Sequence, residues 1–253
     1  MDLANAALLL AAGLAAGTVN AVAGGGSLIT FPALLAVGLP PVPANVTNSV
    51  SVFPGYGAAV AGSWMDLPRG RLLVTLVPTT IVGALVGAGL LLVTPARAFE
   101  VVVPFLVLGA TALLAFQDPL RRLVGHPRDV PTRRRGLTIQ VVVALASVYG
   151  GYFGAAVGVM LVAALALVLD ATLARVSAIK NLLSAIIGLT TVAVFALAGP
   201  VNWAGVALLA PATLVGGYAG ARLVRRLPSK LLKAIIVVFG TTIGLYLLWR
   251  ALR

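Results

Sequence analysis

Apolar residues fill ten segments of the chain, and short polar, proline-rich or basic stretches separate them. Stretches such as 72–93, 137–159 and 231–249 reach or approach the ~20 residues that a helix needs to cross the hydrocarbon core of a bilayer. The second and seventh segments have only 12 and 11 residues, a length typical of re-entrant or broken elements. The pattern predicts an all-α polytopic membrane protein with segments at 3–24, 27–38, 45–63, 72–93, 98–117, 137–158, 159–169, 176–198, 203–221 and 231–249.

The two halves of the chain repeat one pattern. A set of proline, threonine and glycine positions recurs at an offset of 133 residues, and an upstream set recurs at an offset of 130. The first set pairs Pro78, Thr80, Gly83, Gly87 and Pro95 with Pro211, Thr213, Gly216, Gly220 and Pro228; the second pairs Gly24, Ala44, Thr47 and Ser51 with Gly154, Ala174, Ser177 and Asn181. The repeat predicts two membrane domains, 1–117 and 137–253, joined by a basic cytoplasmic loop at 118–136.

Positive charge predicts the orientation. If every segment reverses the chain, fifteen of the eighteen Lys and Arg residues fall on one side, and only Arg97, Arg250 and Arg253 fall on the other. The positive-inside rule makes the first side cytoplasmic and places both termini outside. Five segments per half then give two inverted repeats. If each short segment instead joins its predecessor, eight segments and parallel repeats result; that version moves the basic cluster at 222–233 outside, so the inverted arrangement is favoured.

Composition excludes several functions. Of the residues, 60% are apolar and 9% are charged, as expected of an integral membrane protein. The formal net charge is +12, and the basic residues cluster between apolar segments, where we expect them to contact lipid headgroups and not nucleic acid. Cysteine is absent, the single histidine, His126, lies in the basic loop, and all six acids lie at or near segment ends. The sequence therefore lacks the catalytic residues of an enzyme that uses paired carboxylates, a bound metal or a thiolate, and no cofactor is expected.

The first glycine-rich break precedes the first short segment. Gly24, Gly25 and Gly26 let the backbone open, and the helix that follows presents N–H groups and the positive end of its dipole, which favours an anion. Ser27 can cap that helix and meet a ligand, and Asn20 is close enough to join the pocket. The alternative is that the glycines only allow close helix packing.

Polar residues form a related helical face in each half, as a site between repeats requires. The alternative is that these hydroxyls and amides only join helices or bond to their own backbone. The two sets are Thr47, Asn48 and Ser51 in the first half, and Ser177, Asn181 and Ser184 in the second.

Three further residues near the second break are candidates. Lys180 is a cation a turn or more inside a segment, where it can attract an anion or extend to the headgroups. Tyr152 and Gly154 belong to the second glycine-rich break, where Tyr152 offers a hydroxyl, although aromatic packing is the simpler account of it.

The chain resembles a known family at these same motifs. The runs GTVNAVAGGGSLITFPALLAVGLPPVPANVTNSV, GGYFGAAVGVMLVAALALVL and ARVSAIKNLLS are similar to the TauE/SafE family, often called sulfite exporters, and to its YfcA-like branch. The resemblance implies a multi-pass permease of the bacterial inner membrane for sulfite, sulfoacetate or related anions. Ala155, Ala156 and Val157 stand where that branch often has more glycine, so a stiffer second break is expected.

The sequence therefore predicts a secondary transporter, most simply an exporter, that moves small anions by alternating access at a site between the repeats. A passive anion channel and a membrane scaffold or sensor without flux are the alternatives. The expected partners are a small anionic substrate and the lipid bilayer, with a homo-oligomer possible. The substrate, the direction of transport and the coupling ion stay open at this stage.

Overall fold

The computed structural model of the protein describes residues 2–22, 25–68, 71–116, 132–169, 171–223 and 229–251. This part of the chain is helical throughout, without a β-strand, as the sequence predicts. Its helices each overlap one of the apolar segments. They are α1 (Leu3–Val22), α2 (Ser27–Ala36), α3 (Pro41–Ser63), α4 (Arg71–Val93), α5 (Ala96–Ala115), α6 (Thr132–Tyr152), α7 (Val157–Val168), α8 (Leu173–Ala198), α9 (Trp203–Leu223) and α10 (Ser229–Ala251), with a 3-10 turn at Trp64–Asp66.

Several helices suit a bilayer. Four described stretches are long and apolar enough to cross it by length and composition: Leu3–Asn20, Leu72–Val93, Ala96–Ala115 and Ala174–Ala198. Apolar stretches in α2, α6, α9 and α10 are shorter. The helix α3 has 23 residues but carries Asn45, Thr47, Asn48, Ser49 and Ser51, all buried or half-buried. Polar residues that the bilayer would reject are therefore turned inward in α3.

The helices α3 and α8 cross in opposite directions at the centre of the bundle. Near the crossing point, Phe53 and Tyr56 of α3 lie against Gly188 of α8. One turn further along α3, the Asn181 side chain donates to the Ala59 carbonyl at 3.3 Å and to the Ser63 hydroxyl at 3.0 Å. Residue numbers rise along one helix as they fall along the other, so the two helices are antiparallel.

Two close parallel pairs flank this crossing. A Cβ on Gly17 of α1 would lie 2.2 Å from the Thr213 carbonyl of α9, and one on Gly87 of α4 would lie 2.0 Å from the Val148 carbonyl of α6. Only glycine permits backbones to approach this closely. The fourth helix of each half thus packs on the first helix of the other half.

The fourth helices also contact the central crossing. The helix α9 packs on α3, and α4 packs on α8. The fifth helices of the two halves, α5 and α10, pair with each other in an antiparallel manner, with Gly240 facing Thr111 and Gly244 facing Leu108.

The short helices α2 and α7 begin inside the bundle. The first turn of α2 lies against the middle of α3, and the first turn of α7 lies against the middle of α8. A Schellman motif ends α2: Gly38, at φ +91°, donates to the Leu35 carbonyl at 3.0 Å, and Leu39 donates to the Leu34 carbonyl at 3.1 Å. Pro40 and Pro41 then start α3. The chain therefore turns back midway through the bundle in each half.

Candidate functional site

A small pocket lies where α2, α3, α7 and α8 meet, and we call it the central pocket. Its volume is about 20 Å³, enough for one water molecule. Both halves of the chain contribute to it. Its lining comprises Ser27, Asn48, Ser49, Val52, Tyr56, Gly150, Phe153, Gly154, Val157, Ser184, Ile187, Gly188 and Thr191.

The first break is held by Asn20. Its Oδ1 accepts a hydrogen bond from the Gly26 N–H at 2.8 Å, and its Nδ2 is buried and has no hydrogen-bond partner in the part of the chain that the structure describes. A Cβ on Gly26 would lie 2.3 Å from the Ala16 carbonyl and 2.8 Å from Asn20 itself. The close approach of α1 therefore requires glycine at position 26, whereas the backbone of Gly26, at φ −60°, is one that any residue adopts. Gly25 is buried beside Leu114 with ordinary spacing, and Gly24 lies outside the described residues.

The start of α2 differs from the sequence expectation in one respect. Gly26 is the N-cap residue, without a side-chain capping bond, and Ser27 is the first helical residue. The prediction that Ser27 caps this helix is therefore wrong. The N–H groups of Leu28 and Ile29 donate to the carbonyls of Gly25 and Gly26, so the turn itself uses two of the amides that we expected to be free. The contribution of α2 to the pocket is therefore the positive, N-terminal end of its helix dipole.

Two side chains of the pocket lining carry hydrogen-bond donors. Asn48 is 2% exposed, and its Oδ1 accepts from the Thr30 hydroxyl of α2. Its Nδ2 makes no hydrogen bond with the described residues. Ser184, opposite on α8, is 1% exposed, and its hydroxyl has no hydrogen-bond partner among the described residues. A buried donor without a partner costs free energy, so the Ser184 hydroxyl favours a hydrogen-bond acceptor in the pocket, and the Asn48 Nδ2 can donate to the same acceptor.

The second break has a left-handed turn. Gly154 has φ +73° and donates to the Tyr149 carbonyl at 3.1 Å, and Ala156, the N-cap of α7, has φ +57°. The Tyr149 hydroxyl donates to the Ala155 carbonyl at 2.7 Å and so secures the turn. The Tyr152 ring packs on Phe99 with ring centroids 5.7 Å apart, and Tyr152 does not line the central pocket. Aromatic packing, the simpler interpretation of Tyr152, agrees with this placement.

Replacing Ala156 by glycine is expected to stabilise the protein by up to about 1 kcal/mol, because an L-residue in the left-handed region costs about 1–2 kcal/mol and glycine avoids most of that cost. The measurement is thermal unfolding in detergent. The reverse change at the neighbouring left-handed position, Gly154→Ala, serves as the matched control and should lower the melting temperature. Equal melting temperatures for all three proteins would contradict the expected strain.

Most of the remaining candidates join helices. Thr47 accepts a hydrogen bond from the Asn202 N–H at 2.9 Å, and the Ser51 hydroxyl donates to the Thr47 carbonyl at 2.7 Å, while the Ser51 carbonyl accepts from Thr213 at 2.8 Å. Asn181 holds the end of α3, as described above. Ser177 is half-buried and Lys180 is 9% exposed. None of these five residues lines the central pocket.

Of the candidates, the pocket brings together Ser27, Asn48, Gly154 and Ser184. It adds Ser49, Tyr56, Gly150 and Thr191, which the sequence interpretation did not include. Helical periodicity could have indicated two of these residues. Tyr56 follows Asn48 by eight residues and Thr191 follows Ser184 by seven, so the members of each pair share a helical face.

Acidic groups are remote from the pocket in the part of the chain that is described. Asp2, Asp66 and Glu100 are exposed there, whereas Asp118, Asp129 and Asp170 lie outside it. Among the same residues there is no cluster of side chains that could hold a metal ion. The pocket therefore offers neutral donors and a helix dipole without a competing carboxylate from the described residues, an arrangement that suits binding of an anion.

Comparison with known proteins agrees with this class of molecule, a helical membrane transporter. Residues 9–247 match the model of the family described as "Sulfite exporter TauE/SafE", and the chain belongs to that family. It is 28% identical over 244 residues to the "Probable membrane transporter protein YfcA" of Escherichia coli strain K12, covering 92% of this chain and 86% of that protein.

Two further relatives have similar names. A "Probable membrane transporter protein" of Haemophilus influenzae is 26% identical over 92% of this chain and 91% of its own length. The "Probable membrane transporter protein ORF9" of a Sinorhizobium species is 25% identical over 96% of this chain and 92% of its own length. No solved structure matches the chain.

Proposed function

We propose that this protein is a secondary transporter of small anions, with sulfite or an organosulfonate such as sulfoacetate as the substrate and export as the direction. The observation that carries the proposal is the meeting of two short-helix starts with Asn48 and with the Ser184 hydroxyl, which has no hydrogen-bond partner among the described residues, at one buried point. Neutral donors bind an anion without fixing a counter-charge in the site, which allows release. The family name supports the substrate class.

Alternating access requires a site that either side can reach, and the helix directions favour such a site. If the two halves are related by symmetry, α1 corresponds to α6, α3 to α8 and α4 to α9. The contact between α1 and α9 then corresponds to the contact between α6 and α4, and the contact between α3 and α9 corresponds to that between α8 and α4. The self-paired helices α3 with α8 and α5 with α10 are antiparallel, as a two-fold axis perpendicular to the helices requires. These relations support inverted repeats at 1–117 and 137–253, with the central pocket near the axis.

The size of the pocket bears on the transport cycle. A space of about 20 Å³ holds one water molecule, and a sulfur oxyanion is several times larger. Binding therefore requires α2 or α7 to move away from the crossing of α3 and α8. The distribution of positive charge supports the orientation in a bacterial inner membrane, with the segment at 118–136 in the cytoplasm.

The experiment is thermal stabilisation of the purified protein by sulfite, thiosulfate, sulfate, sulfoacetate, taurine, phosphate and chloride at equal ionic strength. An anion that binds only the folded protein stabilises it by about 2.7 kcal/mol at a hundred times its Kd. We expect a selective shift with one or more sulfur oxyanions. Counterflow in proteoliposomes then separates a carrier from a channel, because only a carrier exchanges labelled substrate for trapped substrate. Folded protein that no anion stabilises would contradict the proposal and favour a scaffold.

A further inference from the structure

Lys180 is a buried, ionisable residue close to the central pocket but outside its lining. It lies two turns inside α8 and is 9% exposed. Ser184 follows it by four residues, so Lys180 lies about 6 Å nearer the N-terminal end of α8 on the same helical face. Ile187 and Thr191, which also line the pocket, share this face. Lys180 is therefore positioned between the pocket and the end of α8 that positive charge assigns to the cytoplasm.

No counter-charge accompanies Lys180 among the described residues, where it makes no ion pair or hydrogen bond. The elements packed against α8 are α3, α4, α6, α7 and the turn Trp64–Asp66. The only acid among them is Asp66, which is exposed. Their other titratable or charged residues, with the one on α8 itself, are Tyr56, Arg71, Arg133, Arg134, Arg135, Tyr149, Tyr152 and Arg175.

Burial without a counter-charge among the described residues makes the ammonium form of Lys180 dependent on what occupies the pocket. Holding a charge away from water costs free energy, and an opposite charge nearby offsets part of that cost. An anion in the central pocket therefore stabilises the ammonium form relative to the empty protein. By linkage, protonation of Lys180 stabilises the bound anion to the same extent.

We propose that the anion is bound together with a proton that Lys180 holds, an inference that rests on the transport function proposed above. On binding, the lone pair of the neutral Nζ takes a proton from a water molecule, forming an N–H bond and leaving hydroxide in solution. On release of the anion, the N–H bond breaks and the proton returns to water. A divalent anion such as sulfoacetate and one proton together move one net negative charge, so both the pH gradient and the membrane potential act on the transport cycle.

The experiment measures proton uptake on binding by titration calorimetry in two buffers of different ionisation enthalpy, from neutral to mildly alkaline pH. The probes are sulfoacetate, thiosulfate and sulfate, which stay fully ionised there. For the wild type we expect uptake of up to one proton per anion and an affinity that falls as pH rises, by up to about tenfold per pH unit. Lys180→Arg should bind without proton uptake and with an affinity independent of pH, because arginine keeps its charge.

The controls separate this inference from the transport function. Arg97→Met, which removes an exposed cation, should leave proton uptake unchanged. If Lys180→Arg does not fold, Lys180→Gln must still abolish the uptake. Binding to the wild type without uptake, or uptake that persists in the Lys180 variants, would overturn the inference and leave the proposed function in place. A wild type that binds none of the probes would overturn both.

Discussion

Replacing Gly26 by alanine is expected to abolish transport and to destabilise the protein by about 1–3 kcal/mol, the usual effect of overpacking a well-packed interior. The added Cβ would lie 2.3 Å from the Ala16 carbonyl, and a backbone atom cannot move aside as a flexible side chain does. Relief of the clash must separate α1 from α2 and break the hydrogen bond between Asn20 and Gly26. Substrate flux in proteoliposomes and the melting temperature in detergent measure the two effects.

Gly25 provides the matched control for this change. A Cβ there would meet Leu114 at 3.6 Å, an ordinary contact, so Gly25→Ala should keep most of the transport activity. If Gly26→Ala transports at the wild-type rate, the close approach of α1 and α2 does not define the site.

Replacing Asn48 by leucine is expected to remove the stabilisation by anions, with an affinity loss of at least about tenfold. The change deletes the Asn48 Nδ2 donor at the pocket and leaves the Thr30 hydroxyl without its Asn48 acceptor. Loss of a hydrogen bond to a charged ligand costs about 1.5–3 kcal/mol, which corresponds to this loss of affinity. The measurement is the thermal shift with the anion that stabilises the wild type most.

A general loss of stability must be separated from loss of binding. Thr30→Val removes the same hydrogen bond to Asn48 but keeps the Nδ2 donor, so it should lower the melting temperature and preserve the shift with anion. An Asn48→Leu protein that keeps the wild-type shift would exclude Asn48 from the site.

Local signals in the sequence predicted the helices well. The apolar runs, the shortness of the second and seventh segments and the glycine and proline residues between them depend on neighbouring residues only. The same is true of the first break, where glycine and a polar residue precede a short helix. Asn48 and Ser184 were predicted as candidates because a polar side chain inside an apolar helix must find a partner in the protein.

The partners themselves were not predictable from those signals. Helical periodicity indicates which residues share a face, but it does not say which helix covers that face. Thr47 and Ser51 therefore resembled Asn48 in the sequence, yet they bond to Asn202 and Thr213, more than 150 residues away. The left-handed Ala156 was equally hidden, because glycine is the residue that this conformation normally selects.

The packing of the fourth helix of each half on the first helix of the other half has a consequence for biosynthesis. The Thr18 hydroxyl bonds to the Gly216 carbonyl, 198 residues later in the chain. When α1 leaves the ribosome, α9, the helix against which Gly17 packs, has not been synthesised. The helices α1 and α3 therefore stay in the bilayer without this packing partner until α9 is inserted. A nascent chain that stops before residue 203 has no means to complete this packing. Insertion of α9, near the end of translation, is therefore the step at which the first half becomes able to fold.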